Sequence, residues 1–152
     1  MSSKPIDTYL ESSAVLRALL EGDADLERLL EQAVPLTASR LTWFEADRAL
    51  RQAVSAGRKT AEEAAAIRDQ LEAVRSACHT IDIDEEALAC GARDFPREPV
   101  YSLDAIHLGT ALYLRDALGV TVFASCDTRL RENAGDLGFA LLPPAGRQVF
   151  TE

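Results

Sequence analysis

Four carboxylates occur within apolar stretches of this 152-residue chain, where a charge is costly. They are Glu11, Glu45, Asp104 and Asp127. A carboxylate in apolar surroundings destabilises a fold by several kcal/mol unless it is paired or binds a cation. Magnesium and manganese prefer hard oxygen ligands, so the four acids predict a site for a divalent cation. Such a cation activates water at neutral pH and offsets charge on a phosphoryl group.

These acids can cluster only if the fold brings distant segments together. The hydrophobic pattern predicts strands at 6–10, 36–38, 80–83, 120–124 and 139–142. Helices are predicted to begin at Ser12 or Ser13, Asp23, Ser39, Thr60, Asp84, Ser102, and Asp127 or Thr128. Strands that alternate with helices favour an α/β fold, an open parallel sheet of four to five strands flanked by helices. We expect one domain over 1–152, with its core at about 6–143 and a tail at 144–152.

The predicted elements place the four acids at one edge of the sheet. Glu11 and Asp127 fall just past the carboxyl ends of the first and fourth strands. Ligands of open α/β sheets bind at that edge, where the strand order reverses. Asp104 falls in the first turn of its helix and Glu45 in the early part of a long one. We therefore expect the four side chains to converge.

Each acid also has a simpler explanation. Glu45 could be a surface residue that pairs with Arg40 or Arg48 along its helix. Asp104 and Asp127 could be favoured at helix starts by the helix dipole alone, and Glu11 could cap the helix after it. The joint occurrence of all four at the same ends of their elements favours the metal site.

Four motifs in this order resemble those of PIN-domain proteins, specifically the VapC-type ribonuclease toxins of bacterial toxin–antitoxin pairs. The motifs are 9–16, 39–50, 103–111 and 122–130, and the resemblance extends from about Tyr9 to Pro143. The first motif departs from the family, which usually has aspartate where this chain has Glu11. Asp7 is the rival for that position, but the Ser-Ser-Ala-Val-Leu run after Glu11 is in register with the family pattern.

The resemblance implies an endoribonuclease that uses Mg²⁺, or Mn²⁺ as the alternative. It implies that Glu11, Asp104 and Asp127 hold the metal, while Glu45 completes the cluster or orients the attacking water. Hydrolysis would leave a 5′-phosphate and a 3′-hydroxyl. Ser13 would hydrogen-bond a ligand carboxylate, unless it serves only as a helix-start residue. The implied partners are a transfer or ribosomal RNA, a cognate antitoxin protein and a second copy of the chain in a homodimer.

Other side chains allow two interpretations each. Four arginines are candidates for contacts with RNA phosphates, or else carry solvated charge: Arg40, Arg48, Arg129 and Arg131. Trp43 could stack on a base, but packing in the core or a dimer is favoured. His107, three residues past Asp104, could be a general base, but a hydrogen-bonded helix histidine is favoured.

Composition limits the remaining classes. The net charge of −9 disfavours a nucleic-acid binder with a broad positive surface, and fits an acidic site that attracts a basic inhibitor peptide. Three unpaired cysteines, no long apolar run and no signal-peptide pattern predict a cytoplasmic protein without a membrane span. The alternative function is a PIN-like module with a weakened metal site that binds RNA or protein without cleavage. An aspartyl-nucleophile phosphatase is disfavoured because the first strand lacks an Asp-x-Asp.

Overall fold

The computed structural model describes residues 7–33 and 35–144 as five strands and seven helices. The strands are β1 (Thr8–Leu10), β2 (Leu36–Ser39), β3 (Cys78–Ile81), β4 (Val122–Ala124) and β5 (Ala140–Leu142). The helices are α1 (Ser12–Leu19), α2 (Ala24–Gln32), α3 (Arg40–Ser55), α4 (Ala61–Ala77), α5 (Glu85–Gly91), α6 (Ser102–Leu118) and α7 (Thr128–Asp136).

All five strands form one parallel sheet in the order β3-β2-β1-β4-β5, which confirms the predicted fold class. The strand order reverses between β1 and β4, where Thr8 pairs with Val122 and Leu10 with Ala124. The loops after β1 and β4 therefore open side by side at the carboxyl edge. Ligands bind at this position in open α/β sheets.

Alternate residues of the central strands serve two separate cores. Leu10 and Ala124 pack with residues of α1 to α4, whereas Tyr9 and Phe123 pack with residues of α5 to α7. Successive side chains of a strand point to opposite faces, so this division places helices on both faces of the sheet. Both central strands are thereby covered on both faces, and their carboxyl ends position the loops that follow.

Local sequence signals place most helix starts correctly. Thr60 and Glu63 form the predicted capping box, and Asp23 caps α2 through the backbone N–H of Leu26. Several bounds differ from the prediction: β3 ends at Ile81 and not at residue 83, and β4 and β5 begin at Val122 and Ala140 and not at residues 120 and 139. β3 begins at Cys78 rather than at residue 80, because its register with β2 pairs Leu36 with Cys78. The helix α5 ends at Gly91 and does not reach residue 94.

The helix α6, which carries two site residues, is held by a close backbone contact with α5. A Cβ on Gly109 would lie 2.3 Å from the backbone nitrogen of Gly91. Any side chain at Gly109 would push the two helices apart, because real Cβ atoms do not approach that closely. The glycine pair thus fixes the depth at which α6 packs.

Some predictions lie outside the described residues. They concern Ile6, which was predicted to start the first strand, Val34, and the tail from residue 145. The predicted domain limits therefore stay a prediction. Within 7–33 and 35–144, no helix is both long enough and apolar enough to cross a bilayer.

Candidate active site

Glu11 is the first residue after β1, and its carboxylate is saturated with hydrogen bonds. Oε1 accepts from the Ser13 backbone N–H at 3.1 Å and from the Ser12 hydroxyl at 3.0 Å. Oε2 accepts from the Ser125 hydroxyl at 2.8 Å and from the Ser13 hydroxyl. Glu11 is only 4% exposed. It caps α1, as its simpler explanation proposed, and it also faces the other acids.

Asp7, the rival of Glu11, lies at the opposite end of β1. Its carboxylate accepts a hydrogen bond from the Thr37 hydroxyl at 3.0 Å, at the amino end of the strand. The length of β1 therefore separates Asp7 from the loops at the carboxyl edge. Glu11 is the acid that the first strand presents to the site.

Glu45 faces the sheet from α3. Its Oε1 accepts from the Ser12 hydroxyl at 3.0 Å and lies 2.5 Å from His107 Nε2. One turn earlier, Thr42 donates to the Leu10 carbonyl at 2.9 Å and so ties α3 to the end of β1. The surface-pair explanation of Glu45 is wrong.

His107 belongs to a buried chain of hydrogen bonds. Its Nδ1 lies 2.7 Å from the Tyr9 hydroxyl, which in turn lies 3.1 Å from the Ser39 hydroxyl. Burial lowers the pKa of the imidazole, but Tyr9 and the nearby carboxylates raise it more, to about 10. Nε2 carries a proton in either charge state, because the Glu45 carboxylate can only accept. The predicted hydrogen-bonded histidine is thus observed.

Asp127 and Asp104 complete the group from α7 and α6. Asp127 caps α7 through the Leu130 N–H at 3.0 Å, and its own N–H donates to the Ser125 hydroxyl that also binds Glu11. Asp104 lies half-buried in the first turn of α6. The pKa of its carboxyl is raised to about 6, first by burial and then by the charges of Asp127 and the two glutamates.

The donor set fits a hard divalent cation. Glu11, Glu45 and His107 each place a ligand-type atom within 4.8 Å of the others, and among the described residues Asp104 and Asp127 do not belong to this group. His107 Nε2 is a donor to Glu45, which leaves the two glutamates as the possible metal ligands of this group. No described lysine or arginine forms an ion pair with the four acids; their one such contact is between His107 and Glu45. Among the described residues, His107 is the one cationic group paired with these acids, so the negative charges outnumber it. A bound cation stabilises such an arrangement.

The predicted arginines do not share one environment. Arg40 forms an ion pair with Asp82, while Arg48 and Arg129 are exposed. Arg131 does not fit the predicted contact with RNA, because it is 7% exposed and donates to the carbonyls of Ser125 and Pro143 at 2.9 Å each. It braces the loop after β4 instead.

Trp43 is a core residue. It is 2% exposed, and its Nε1 donates to the Thr80 hydroxyl at 2.9 Å. The packing interpretation is confirmed, and stacking of Trp43 on a base is wrong. Ser12, Ser125 and Tyr9 were not predicted as site residues from the sequence. Their sequence signal is weak, because their positions are ordinary ones: Ser12 begins a helix, Ser125 lies in a loop and Tyr9 lies in a strand.

A model of the PIN-domain family matches residues 8–136, from β1 to the end of α7. The chain belongs to the PIN-domain family. Among curated proteins, it is 30% identical over 141 residues to Ribonuclease VapC35 of Mycobacterium tuberculosis, across 90% of this chain and 96% of that protein. The predicted resemblance to VapC-type proteins is confirmed.

Two solved structures share this PIN fold. One is the Mycobacterium tuberculosis toxin VapC20, described as cleaving the sarcin-ricin loop, with a TM-score of 0.57 at 18% identity, over 87% of this chain and 95% of that one. The other is PAE2754 of Pyrobaculum aerophilum, with a TM-score of 0.55 at 19% identity, over 85% and 80%. At these identities, the likeness supports the fold alone.

Proposed function

We propose that this PIN-domain protein is a metal-dependent endoribonuclease toxin inhibited by a cognate antitoxin. The observation that carries the proposal is the acidic group at the point where the strand order reverses. Glu11 and Glu45 lie within ligand distance of one another and of His107, and the charges of Asp127 and both glutamates act on Asp104. The 30% identity to Ribonuclease VapC35 supports the substrate class.

In this proposal, Glu11, Asp104 and Asp127 hold Mg²⁺, with Mn²⁺ as the alternative. The cation would supply Lewis acidity toward the phosphodiester and a more acidic water. Glu45, held by Ser12 and His107, orients the attacking water on the side of α3. Asp104 and Asp127 face the site with fewer protein donors than Glu11 and remain available as ligands.

The longer side chain of Glu11 suits its surroundings. Glutamate reaches about 1.5 Å further than aspartate. That reach brings the carboxylate to the hydroxyls of Ser12, Ser13 and Ser125. The hydrogen bond from the Ser13 hydroxyl to Glu11 supports the proposed role of Ser13 in orienting a metal ligand. Ser13 also lies in the first turn of α1.

The alternative is a PIN-like module that binds RNA or protein without cleavage. The hydrogen bonds of Glu11 favour it, because they satisfy this carboxylate without a metal. Cleavage of RNA by the purified protein separates the two functions.

The proposed antitoxin has a suitable surface. An apolar groove of about 250 Å³ lies between α1, α2 and α4, with Val15, Leu19, Leu30 and Val74 among its lining residues. A hydrophobic segment of an antitoxin would fill it, and a basic side chain beyond that segment would meet the acidic site. A homodimer, a transfer or ribosomal RNA substrate and a cytoplasmic location are proposed from the family resemblance.

Cleavage of structured RNA by the purified protein tests the proposed activity. Wild type should cut in Mg²⁺ or Mn²⁺ and stop in a chelator. Asp104→Asn should reduce the rate more than about a hundredfold, because it removes a ligand of the cation. Asp116→Asn, the same change at an exposed site on α6, is the matched control and should leave the rate unchanged.

Two results would contradict the proposal. Full activity of Asp104→Asn would remove this acid from the metal site. Tight binding of RNA without cleavage in either metal would establish the binding module instead. Metal binding has its own readout, since Mg²⁺ at a hundred times its Kd should raise the free energy of unfolding by about 2.7 kcal/mol.

A further inference from the structure

Tyr101 presents an exposed aromatic ring at the start of the helix that carries Asp104. It caps α6, three residues before that acid, and is 65% exposed. A single exposed aromatic residue is common on protein surfaces and has no meaning by itself. The neighbours of Tyr101 give this ring its significance.

Arg129 approaches the same ring from α7. Its guanidinium carbon lies 5.7 Å from the centre of the Tyr101 ring, within the range of a cation–π contact. Arg129 follows Asp127 by two residues, so the two segments that supply the aspartates also supply an aromatic ring and a cation. Asp104 and Arg129 further line one small cleft between α6 and α7.

The charge of Arg129 contacts the Tyr101 ring but no carboxylate in the described part of the chain. Other arginines near the site are engaged: Arg97 with Asp136 and Glu132, and Arg131 with two backbone carbonyls. Among the described residues, no carboxylate forms an ion pair with exposed Arg129. In a chain of net charge −9, a cation left open beside an acidic site is suited to an anionic group of a ligand.

We propose that Tyr101 and Arg129 form a subsite for one unstacked nucleotide of single-stranded RNA, beside the metal site. This inference rests on the proposed ribonuclease function. The Tyr101 ring stacks on the base, and Arg129 contacts the adjoining phosphate. Proteins read single-stranded RNA by this combination, because every base has a π-face and every nucleotide a phosphate.

A docked protein is the competing use of this surface. Leu103 lies two residues from Tyr101 and is 50% exposed, so the two side chains would form part of one apolar patch. The observations favour RNA because the ring is paired with an open cation and borders the acids. A protein interface would depend on Leu103 as much as on Tyr101, and this difference provides the matched control.

Binding is measured with a single-stranded RNA oligonucleotide that carries 2-aminopurine, a base whose fluorescence is quenched by stacking. Asp104→Asn is the background, so that the probe is not cut. We expect Tyr101→Ala to weaken binding about tenfold and to abolish the quenching. Tyr101→Phe, which keeps the ring, and Leu103→Ala, which removes a neighbouring apolar group, should both bind within about twofold of the background.

Arg129 is tested by the salt dependence of the same binding. Arg129→Ala should reduce the slope of log Kd against log salt by about 0.7, the share of one phosphate on a single strand. Arg129→Lys should restore the slope, because it keeps the charge.

Cleavage by the otherwise wild-type chain separates failure of this inference from failure of the proposed function. Tyr101→Ala should raise KM more than it lowers kcat. If wild type cuts RNA and Tyr101→Ala binds and cuts RNA equally well, the proposed subsite is wrong, whereas the proposed ribonuclease function is supported. If Leu103→Ala and Tyr101→Ala lose equal RNA affinity, the contrast that favours RNA over protein is absent. If both variants keep their RNA affinity but self-associate more weakly, the patch binds protein. If wild type neither binds nor cuts RNA, both proposals fall.

Discussion

The two glutamates and the two aspartates of the acidic site are held in different ways. Glu11 and Glu45 accept hydrogen bonds from three serine hydroxyls and contact His107. Asp104 and Asp127 lack this shell: Asp127 accepts one backbone N–H, and Asp104 has a raised pKa because it is half-buried and charges of the same sign surround it.

The difference indicates how the fold tolerates four acids in one crevice. The protein itself solvates the glutamate half, which can therefore form without a cation. In the aspartate half, the pKa of Asp104 is raised to about 6, so a cation bound beside it would stabilise its ionised form. Metal binding should consequently act most strongly on Asp104 and Asp127, while the geometry of Glu11 and Glu45 is preorganised.

The largest effect that distinguishes the glutamates from the aspartates is expected in the stability of the metal-free protein. Glu11→Ala should lower the free energy of unfolding by about 2–3 kcal/mol, because it removes the cap of α1 and the acceptor of the Ser13 backbone N–H and of the Ser13 and Ser125 hydroxyls. Asp104→Asn should raise the free energy of unfolding, because it removes a half-buried charge and its repulsion with Asp127 and the glutamates at nearly constant shape. Denaturant unfolding in a chelator measures both. Changes of the same sign would contradict the division into two halves.

The histidine is expected to act mainly on the glutamate half, through its contact with Glu45. His107→Leu should reduce RNA cleavage about 10- to 100-fold, because Glu45 loses the donor that orients it. His107→Gln should recover part of this loss, since its amide can still donate to the carboxylate. The affinity for Mg²⁺ should change less than in Asp104→Asn. Equal rates for the leucine and glutamine variants would show that His107 only fills space.

The pH dependence of stability should reveal Asp104. Its pKa is raised from the ordinary aspartate value of 3.8 to about 6 in the fold, so the folded state binds more protons between these values. Its contribution to stability is therefore lost as pH rises from about 4 to 6. The stability difference between Asp104→Asn and wild type, without metal, should grow over that window and then level off. A difference independent of pH would contradict the raised pKa.

The smallest expected effect is that of Tyr9, which lies behind His107 in the buried chain of hydrogen bonds. Tyr9→Phe should destabilise the protein by about 1 kcal/mol, because the partners of its buried hydroxyl, His107 and Ser39, lose one hydrogen bond each. Cleavage should fall less than in His107→Leu. Thermal unfolding and initial rates measure the two effects, and a loss of activity larger than that of His107→Leu would contradict this order.

Much of the fold follows from local signals. The alternation of strands and helices predicted the parallel sheet, and cap residues such as Thr60 and Asp84 placed their helices, because these effects act within a few residues. The start of β3 was misplaced by two residues. Its register depends on pairing with β2, a contact between segments about 40 residues apart.

The sequence was sufficient to predict a site of four acids, because three of them follow a strand or open a helix and Glu45 lies early in one, each within a recognisable motif. It left Asp7 as a rival of Glu11. The environments of the four acids follow from the tertiary structure alone. It separated Glu11 from Asp7 by the length of β1, gave Glu45 a partner 62 residues away in His107, and buried Arg131 against carbonyls. It also brought Tyr101 and Arg129 together. Hydrogen bonds and burial between distant segments set these environments, and no local pattern encodes them.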